Sequence, residues 1–282
     1  MKRVVLALFT FLWMGTCYAQ DLNVMSFNIR YNNPGDSLDA WPYRKDHVAS
    51  QILFHGVHYL GLQEALSGQM EDLQKLLPGY KSIGGGRDDG KTKGEYSAIF
   101  YDTKRLKPMR SGMLWLSETP QDVGSKGWDA NLPRLITWAE FKDLKTGKVF
   151  FAFNTHFDHR GQEARRRSAM LLLEKVREIA GNTPAVITGD FNASPDSEPI
   201  KIITDSGNPN RLKDAKSISK QPHYGPLGTF NGFKNKELTN YPIDYIFVKG
   251  KWNVKKHASL SQTWGGRFAS DHFALLAVMS LK

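Results

Sequence analysis

Apolar and polar positions alternate along the chain in patterns that predict strands and helices in turn. Residues 21–30 alternate with a two-residue period, which is typical of a strand. Apolar positions recur at helical spacing over residues 43–55 and 66–77, and a second predicted strand, residues 57–62, lies between these helices. A chain that begins with strand, helix, strand and helix is organised like an α/β sandwich.

The clearest helix is predicted over Gln162–Ala180, where apolar residues form one face, charged residues occupy the other, and Gly181 follows the last turn. Residues 84–90 are rich in glycine and charge and predict a loop, whereas segments 117–134 and 193–241 are expected to be irregular. The length of the 117–134 connection suggests a function for it. Further strands are predicted over residues 98–101, 135–141, 149–153, 185–188, 243–248 and 273–279.

The first twenty residues have the pattern of an export signal. Lys2 and Arg3 precede an apolar run over residues 4–14, and Ala19 is the expected cleavage edge. The run is too short to span a bilayer, so we expect no transmembrane segment in the mature chain. Residues around Cys17 match a lipoprotein signal poorly, so lipid attachment is not expected. We therefore predict a periplasmic or extracellular protein with one folded unit, residues 21–282.

The chain is basic, with a formal net charge of +10. Removal of residues 1–20 takes away Lys2 and Arg3 and no acid, which leaves +8. This surplus suits an anionic substrate such as nucleic acid or a phosphorylated small molecule, although solvated surface lysines and arginines also explain it. If Cys17 is removed with the signal, no disulfide supports the mature chain, and its stability must come from its core.

Carboxylates, amides and imidazoles lie at the ends of several predicted strands. Each has an ordinary explanation when taken alone, since Asn28 suits a turn and Glu64 suits a helix start. Buried carboxylates are costly unless a positive charge holds them, and a divalent cation is the simplest such charge. A shared site is therefore the better explanation for the whole set. Its members are Asn28, Glu64, Asp190, Asn192, Asp271 and His272.

Six short motifs occur in one order along the chain: SFNIR at 26–30, LQE at 62–64, NTH at 154–156, GDFN at 189–192, IDYI at 243–246 and SDH at 270–272. Together they resemble the endonuclease/exonuclease/phosphatase superfamily, which includes pancreatic deoxyribonuclease, sphingomyelinases, inositol-polyphosphate phosphatases and deadenylases. The resemblance implies a four-layer α/β sandwich in which two mainly antiparallel sheets pack together with helices outside.

The resemblance also implies a metal site. Glu64 is similar to the principal metal ligand of the superfamily, with Asn28 beside it and Asp271 completing or flanking the site. Hard carboxylate and amide oxygens are the ligands that Mg²⁺ or Mn²⁺ prefers. Some nuclease branches have an acid where this chain has Arg30, so the ligand set here is expected to be smaller.

The remaining motif positions resemble the catalytic residues of the superfamily. Asp190 and Asn192 look like the pair that activates and orients the attacking water, and His156 resembles the histidine that binds phosphate. Asp244 looks like the carboxylate that sets the tautomer of His272. Either Asp190 or the Asp244–His272 pair is placed to accept the proton of the water.

Four further residues are candidates for substrate contact, because they lie in stretches similar to a secreted bacterial branch of the superfamily near the deadenylases. They are Arg87, Tyr96, His159 and Arg160.

These features predict an exported, metal-dependent phosphoesterase that hydrolyses a phosphodiester or phosphomonoester by in-line attack of water. Its partner is a phosphate-ester substrate, and no stable protein partner is inferred. The alternatives are a nuclease acting on RNA or DNA, a sugar-phosphate or inositol-phosphate phosphatase, and an enzyme acting on phospholipid headgroups. The last would need an exposed apolar hairpin for membrane contact, and residues 113–116 are either such a hairpin or a buried strand. An inactive binding module is the non-enzyme alternative, and the completeness of the motifs argues against it.

Overall fold

The structure is a computed structural model that describes residues 20–234 and 239–282. The predicted export signal, apart from Gln20, lies outside the described residues. The helices are α1 (Trp41–Phe54), α2 (Ser67–Leu76), α3 (Gln162–Ala180) and α4 (Glu198–Thr204), with a 3-10 helix at Pro34–Asp39. The strands are β1 (Leu22–Asn28), β2 (Tyr59–Ala65), β3 (Tyr80–Ile83), β4 (Tyr96–Asp102), β5 (Leu106–Trp115), β6 (Leu135–Asp143), β7 (Val149–His156), β8 (Ala185–Asp190), β9 (Lys213–Asp214), β10 (Asp244–Lys249), β11 (Trp252–Leu260), β12 (Thr263–Trp264), β13 (Arg267–Phe268) and β14 (Ala274–Leu281).

Two six-stranded sheets form the body of the molecule. The first has the order β11-β14-β1-β2-β4-β3, and the second has the order β5-β6-β7-β8-β10-β9. Neighbouring strands run antiparallel except for one parallel pair in each sheet, β1 with β2 and β7 with β8. The mainly antiparallel sheets of the expected sandwich are thus confirmed.

Three apolar clusters separate four layers. One cluster lies between the sheets and joins residues such as Val24 and Ile99 to Phe141 and Val186. A second packs α1 and α2 on the outer face of the first sheet, and a third packs α3 and α4 on the second sheet. Because both faces of each sheet are covered, its central strands are buried along nearly their whole length.

A seam of buried polar groups joins the two sheets below the edge where β1, β2, β7 and β8 end. The amide of Asn154 on β7 donates to the carbonyls of Leu62 (2.8 Å) and Ala98 (2.9 Å) in the other sheet. The hydroxyl of Tyr59 donates to the Phe153 carbonyl at 2.9 Å. Gly61 leaves room for this seam, since a Cβ there would lie 1.9 Å from the Thr188 hydroxyl oxygen. These contacts hold the strand ends of both sheets in register.

The periodic segments were predicted well, and the bounds of α3 agree with the prediction at both ends. The structure adds elements that the pattern did not predict: β3, β5, β11, the short β9, β12 and β13, and α4 within the segment expected to be irregular. Trp115 and Leu116 are buried, so residues 113–116 do not form an exposed membrane hairpin. Among the described residues, no helix is long and apolar enough to cross a membrane.

Candidate active site

The polar strand ends meet at one edge of the sandwich, around a cavity of about 650 Å³. Parallel neighbours β1 and β2 end there in the first sheet, as do β7 and β8 in the second, and β14 begins nearby. A cavity of this size suits a small molecule or one end of a larger one. Among its lining residues are Glu64, His156, Asp190, Asn192, Asp271 and His272.

Glu64 reaches the cavity because of an irregularity in β2. The register between β2 and β4 shifts between Gln63 and Ala65, and Glu64 has a left-handed backbone with φ 66°. Such a bulge redirects one side chain out of the strand's alternation, and the strained backbone marks a position that the fold specifies strongly. Its carboxylate accepts hydrogen bonds from the Asn28 amide (2.9 Å) and the Tyr31 backbone N–H (3.1 Å).

Asn28 connects the two sheets at the floor of the cavity. Its amide nitrogen donates to Glu64 and, at 2.9 Å, to Oδ2 of Asp190, while its own oxygen accepts from the Arg30 backbone N–H. Asn28 is fully buried. It therefore holds the carboxylates of Glu64 and Asp190 side by side, and ligand atoms of these two acids and His156 all lie within 4.8 Å of one another.

Asp190 ends β8, and burial together with the nearby charge of Asp244 raises its pKa to about 7. Its Oδ1 accepts from the Asn192 backbone N–H at 2.9 Å, and Asn192 has the left-handed φ of 47° that this turn requires. A carboxylate with such a pKa exchanges a proton readily near neutral pH. The pair that sequence reasoning placed beside the water thus shares one tight turn.

His156 is held neutral at the second sheet's edge. Its pKa lies well below the usual value because it is buried and close to Arg134. The Asn192 amide nitrogen donates to the Phe157 carbonyl (3.1 Å), which fixes the amide's orientation, and it also lies 3.0 Å from Nε2 of His156. Nε2 therefore accepts, and the ring proton is on Nδ1. In this arrangement the donor of His156 is Nδ1–H, which lies 4.0 Å from Oε2 of Glu95, and its expected contact with phosphate stays a prediction.

His272 has the opposite electrostatic environment. Its Nδ1 lies 2.9 Å from Oδ2 of Asp244, and both side chains are buried. Burial disfavours the charged ring, but the attraction and hydrogen bond of Asp244 prevail, and the pKa of His272 is well above its usual value. Its other nitrogen, Nε2, lies 3.9 Å from Asp190. Two imidazoles on one cavity thus differ in charge, with His156 neutral and His272 protonated.

Asp271 lines the cavity but lies apart from the close group formed around Glu64. Its Oδ2 is 3.8 Å from Nε of Arg30, whose guanidinium donates to both carboxylate oxygens of Asp36 at 3.0 Å. Burial raises the pKa of Asp271. Of the three residues that the resemblance implied as metal ligands, Glu64 and Asn28 are in direct contact, whereas Asp271 flanks them.

Only one of the four residues expected to contact substrate is among the residues that line the cavity in the described part of the chain. Of the described residues, those lining the cavity include His159 but not Arg87, Tyr96 or Arg160. Arg87 is buried because the 84–90 loop folds inward, and its guanidinium donates to Glu95 at 2.6 Å. The Tyr96 hydroxyl donates to the Lys91 carbonyl, and Arg160 is exposed. Arg87 and Tyr96 thus hold the loop that adjoins the cavity.

Several residues that line the cavity were not predicted from the sequence, among them Glu95, Arg134 and Phe230. Glu95 directly precedes β4, Arg134 directly precedes β6, and Phe230 lies in the segment expected to be irregular. The ring of Phe230 stands edge to face with His272 at 5.1 Å. In the sequence, Glu95 and Arg134 are distinguished only as charged residues next to the start of a strand. Many surface residues have the same position, so this feature does not identify a site residue.

Comparison with known proteins agrees with this geometry. A sequence profile of the endonuclease/exonuclease/phosphatase family matches residues 25–272. An endonuclease/exonuclease/phosphatase from Bacteroides vulgatus is 44% identical, with 93% of this chain and 100% of that chain covered and a TM-score of 0.88. A mannosyl-6-phosphatase from Bacteroides thetaiotaomicron is 40% identical, with 92% of this chain and 100% of that chain covered and a TM-score of 0.87.

More distant proteins share the architecture. The human Nocturnin catalytic domain is 22% identical, with 93% of this chain and 95% of that chain covered and a TM-score of 0.73, which shows the fold alone. The profile spans nearly the whole described chain, and the site residues lie within the matched range, beside the strand ends of this chain. The chain therefore belongs to the endonuclease/exonuclease/phosphatase family, whose fold and phosphoester-hydrolase class it shares.

Proposed function

We propose that this protein is an exported, divalent-metal-dependent phosphomonoesterase that removes phosphate from a phosphorylated sugar. The observation that carries the proposal is the group formed by Glu64, Asp190 and His156 at the floor of a small-molecule-sized cavity. The 40% identity to a mannosyl-6-phosphatase over nearly the full length of both chains supports a sugar phosphate as substrate.

The charges around the cavity support a small substrate over a nucleic acid. Arg30, Arg87 and Arg134, at or beside the cavity, are already close to carboxylates: Arg30 lies 3.0 Å from Asp36, Arg87 lies 2.6 Å from Glu95, and Arg134 lies 3.6 Å from Asp158. A nucleic-acid groove needs cations free to neutralise a run of backbone phosphates. Paired arginines leave little positive charge for phosphates that flank the reacting one.

The residues present fit a Mg²⁺ or Mn²⁺ ion. The Glu64 carboxylate has no cationic side chain within ion-pair distance among the described residues, and Asp190 has only the two histidines. Glu64 thus offers hard oxygens that no protein cation neutralises, the kind of donor that such metals prefer, whereas Asp190 has the protonated His272 at 3.9 Å. Glu64 would hold the ion, with Asp190 or Asp271 beside it, and Asn28, whose amide nitrogen donates to Glu64 and Asp190, would keep these two carboxylates in place. When bound, the ion would neutralise the charge of the phosphoryl oxygens.

The protein groups supply the proton transfers of hydrolysis. Asp190, with a pKa of about 7, accepts a proton from the attacking water, which Asn192 orients. As the water oxygen bonds to phosphorus, the ester bond breaks and the sugar oxygen leaves as a hydroxyl, with a proton from the solvent, to which Asp190 returns the proton it accepted. Protonated His272 stabilises the charge that develops on the reacting oxygen. Asp244 keeps the His272 ring protonated and oriented. His156 fixes Asn192 through Nε2.

Export is part of the same proposal and rests on the sequence alone. Lys2 and Arg3, the apolar run and Ala19 are what a secretory signal requires. The mass of the N-terminus on protein from the native host tests it. A mature chain that starts near residue 20 supports export, and an intact Met1 on cytoplasmic protein contradicts it.

The activity is tested with the purified mature chain and a panel of hexose 6-phosphates, inositol phosphates, single-stranded RNA and DNA, and sphingomyelin. Each is assayed with Mg²⁺, with Mn²⁺ and with EDTA, and Asp190→Asn is the inactive control. We expect metal-dependent release of inorganic phosphate, fastest from a hexose 6-phosphate. Cleavage of RNA or DNA at a higher kcat/KM than any monoester would assign the protein to the nucleases instead.

A further inference from the structure

One wall of the cavity is built by charged and polar residues that the hydrolysis does not use. Arg134 is buried there, and its Nη2 lies 3.1 Å from Nδ1 of His159. Its Nη1 lies 3.9 Å from Glu95 and its Nε lies 3.6 Å from Asp158. Glu95, Arg134 and His159 all line the cavity. We call these three residues the side wall.

The contact with Arg134 fixes the tautomer of His159. An arginine guanidinium has only donors, so Nδ1 of His159 must accept and carries no proton. Burial and the positive charge of Arg134 also lower the pKa of His159, which favours the neutral ring. The proton is therefore on Nε2. His159 is exposed and lines the cavity, so it presents an N–H donor to a ligand.

Glu95 presents an acceptor on the same wall. Its Oε2 is engaged by Arg87 at 2.6 Å and also lies near Arg134 and His156. Among the described residues, no hydrogen bond is made to Oε1, and that atom is not one of the buried polar atoms without a partner. An oxygen that is accessible and without a protein donor is free to accept from a ligand.

The charges of the side wall and of its neighbours Arg87 and Asp158 nearly cancel, and this balance disfavours a second anionic group as ligand. The charges of Arg87 and Arg134 are met by those of Glu95 and Asp158, and backbone N–H groups of Gly161 and Arg160 lower the pKa of Asp158 to about 2 against the effect of burial. A second phosphate would gain little there. A hydroxyl both donates and accepts, so it matches a carboxylate beside an N–H.

We propose that Glu95 and His159 bind hydroxyl groups of the sugar that carries the scissile phosphate, with Arg134 as the positioning residue behind them. The inference rests on the proposed function and names the part of the site that selects its substrate. Arg134 supports it, because its Nε and Nη1 are buried without a hydrogen-bond partner. A purely structural arginine would be expected to satisfy these donors. Here Arg134 is held by the charges of Glu95 and Asp158, which lie on two different segments beside the cavity.

The test compares two substrates in each variant. A hexose 6-phosphate offers ring hydroxyls, whereas p-nitrophenyl phosphate offers the same reacting group without them. We expect His159→Ala to lower kcat/KM at least about tenfold more on the hexose phosphate than on the nitrophenyl ester, mainly through KM. His159→Gln retains an N–H donor and should recover part of the loss. His55→Ala is the matched control, since His55 follows the last residue of α1. It should leave unchanged the ratio of kcat/KM on the hexose phosphate to kcat/KM on the nitrophenyl ester.

Arg134→Lys tests positioning, since lysine keeps the positive charge but cannot contact His159 and Glu95 at the same time through separate nitrogens. We expect it to lower the same ratio while thermal unfolding confirms that the variant folds. The proposal is overturned if the wild type hydrolyses hexose phosphates and neither the His159 nor the Arg134 variant changes the ratio. If the wild type hydrolyses nitrophenyl phosphate but no sugar phosphate, the proposed substrate and this inference both fail. Deoxy sugar phosphates that the wild type discriminates against, but His159→Ala does not, would show which hydroxyl is bound.

Discussion

Asp244→Asn tests the coupling of two buried residues with very little change of shape. Asp244 and His272 lie 2.9 Å apart, and the two side chains are 1% and 5% exposed. Because Asp244 holds the pKa of His272 well above its usual value, replacement of the carboxylate removes the charge that keeps the ring protonated and oriented. The variant should therefore lose the group that stabilises charge on the reacting oxygen.

The size of the effect follows from the role of His272. Loss of a positioned acid or charge stabiliser usually costs about a hundredfold or more in turnover, which corresponds to about 2.7 kcal/mol of transition-state stabilisation. We expect Asp244→Asn and His272→Ala each to lower kcat by at least about this factor. Because the two residues act as one unit, the double variant should be little worse than His272→Ala alone.

The assay is release of inorganic phosphate under saturating substrate, with thermal unfolding of each variant to show that it folds. Asp102→Asn is the control, because Asp102 ends β4 at the opposite edge of the first sheet. Its turnover should equal that of the wild type. If the losses of Asp244→Asn and His272→Ala multiply in the double variant, the two residues act separately and the pairing argued here is refuted.

Three further predictions concern the metal, the core and pH. Glu64→Gln keeps the shape but removes the charge, so it should fold normally, and isothermal titration should show weakened Mn²⁺ binding. Equal affinity would remove Glu64 from the ligands. Gly61→Ala places a Cβ 1.9 Å from the Thr188 hydroxyl oxygen and should lower the free energy of unfolding by about 1 to 3 kcal/mol, as measured in urea. Burial and Arg105 lower the pKa of His58 to about 4 while its Nδ1 accepts from the Asn23 backbone N–H. The unfolded chain therefore binds more protons between pH 6.5 and 4, and stability should fall as pH is lowered through that window. His58→Asn should weaken the dependence.

The elements that sequence predicted best are those with a strong period. The apolar stripe of α3 repeats over nineteen residues and ends at a glycine, so both of its bounds were predictable. The polar residues at the floor of the cavity could be proposed from sequence, because each lies at the end of a short apolar run that is typical of a buried strand. Their meeting at one edge then follows from the fold.

Other features depend on contacts between distant segments. Strand β5 mixes exposed and half-buried positions without a clean alternation, so its pattern does not separate it from a loop. The side wall has the same difficulty, since Glu95 and Arg134 are single charged residues that only tertiary packing brings together. Arg87 was expected at the substrate because it lies in a glycine-rich loop, but Glu95 holds it inward instead. Sequence therefore predicts the floor of the site better than its walls.

The central claim is that water attacks the phosphorus of a sugar phosphomonoester in this cavity. The most direct test is ³¹P NMR of a hexose 6-phosphate with purified residues 21–282 and Mg²⁺ in water enriched in oxygen-18. We predict that inorganic phosphate appears with one heavy oxygen and that Asp190→Asn abolishes the signal. Persistence of the intact ester, or heavy oxygen recovered in the sugar while the phosphate has none, would contradict the account.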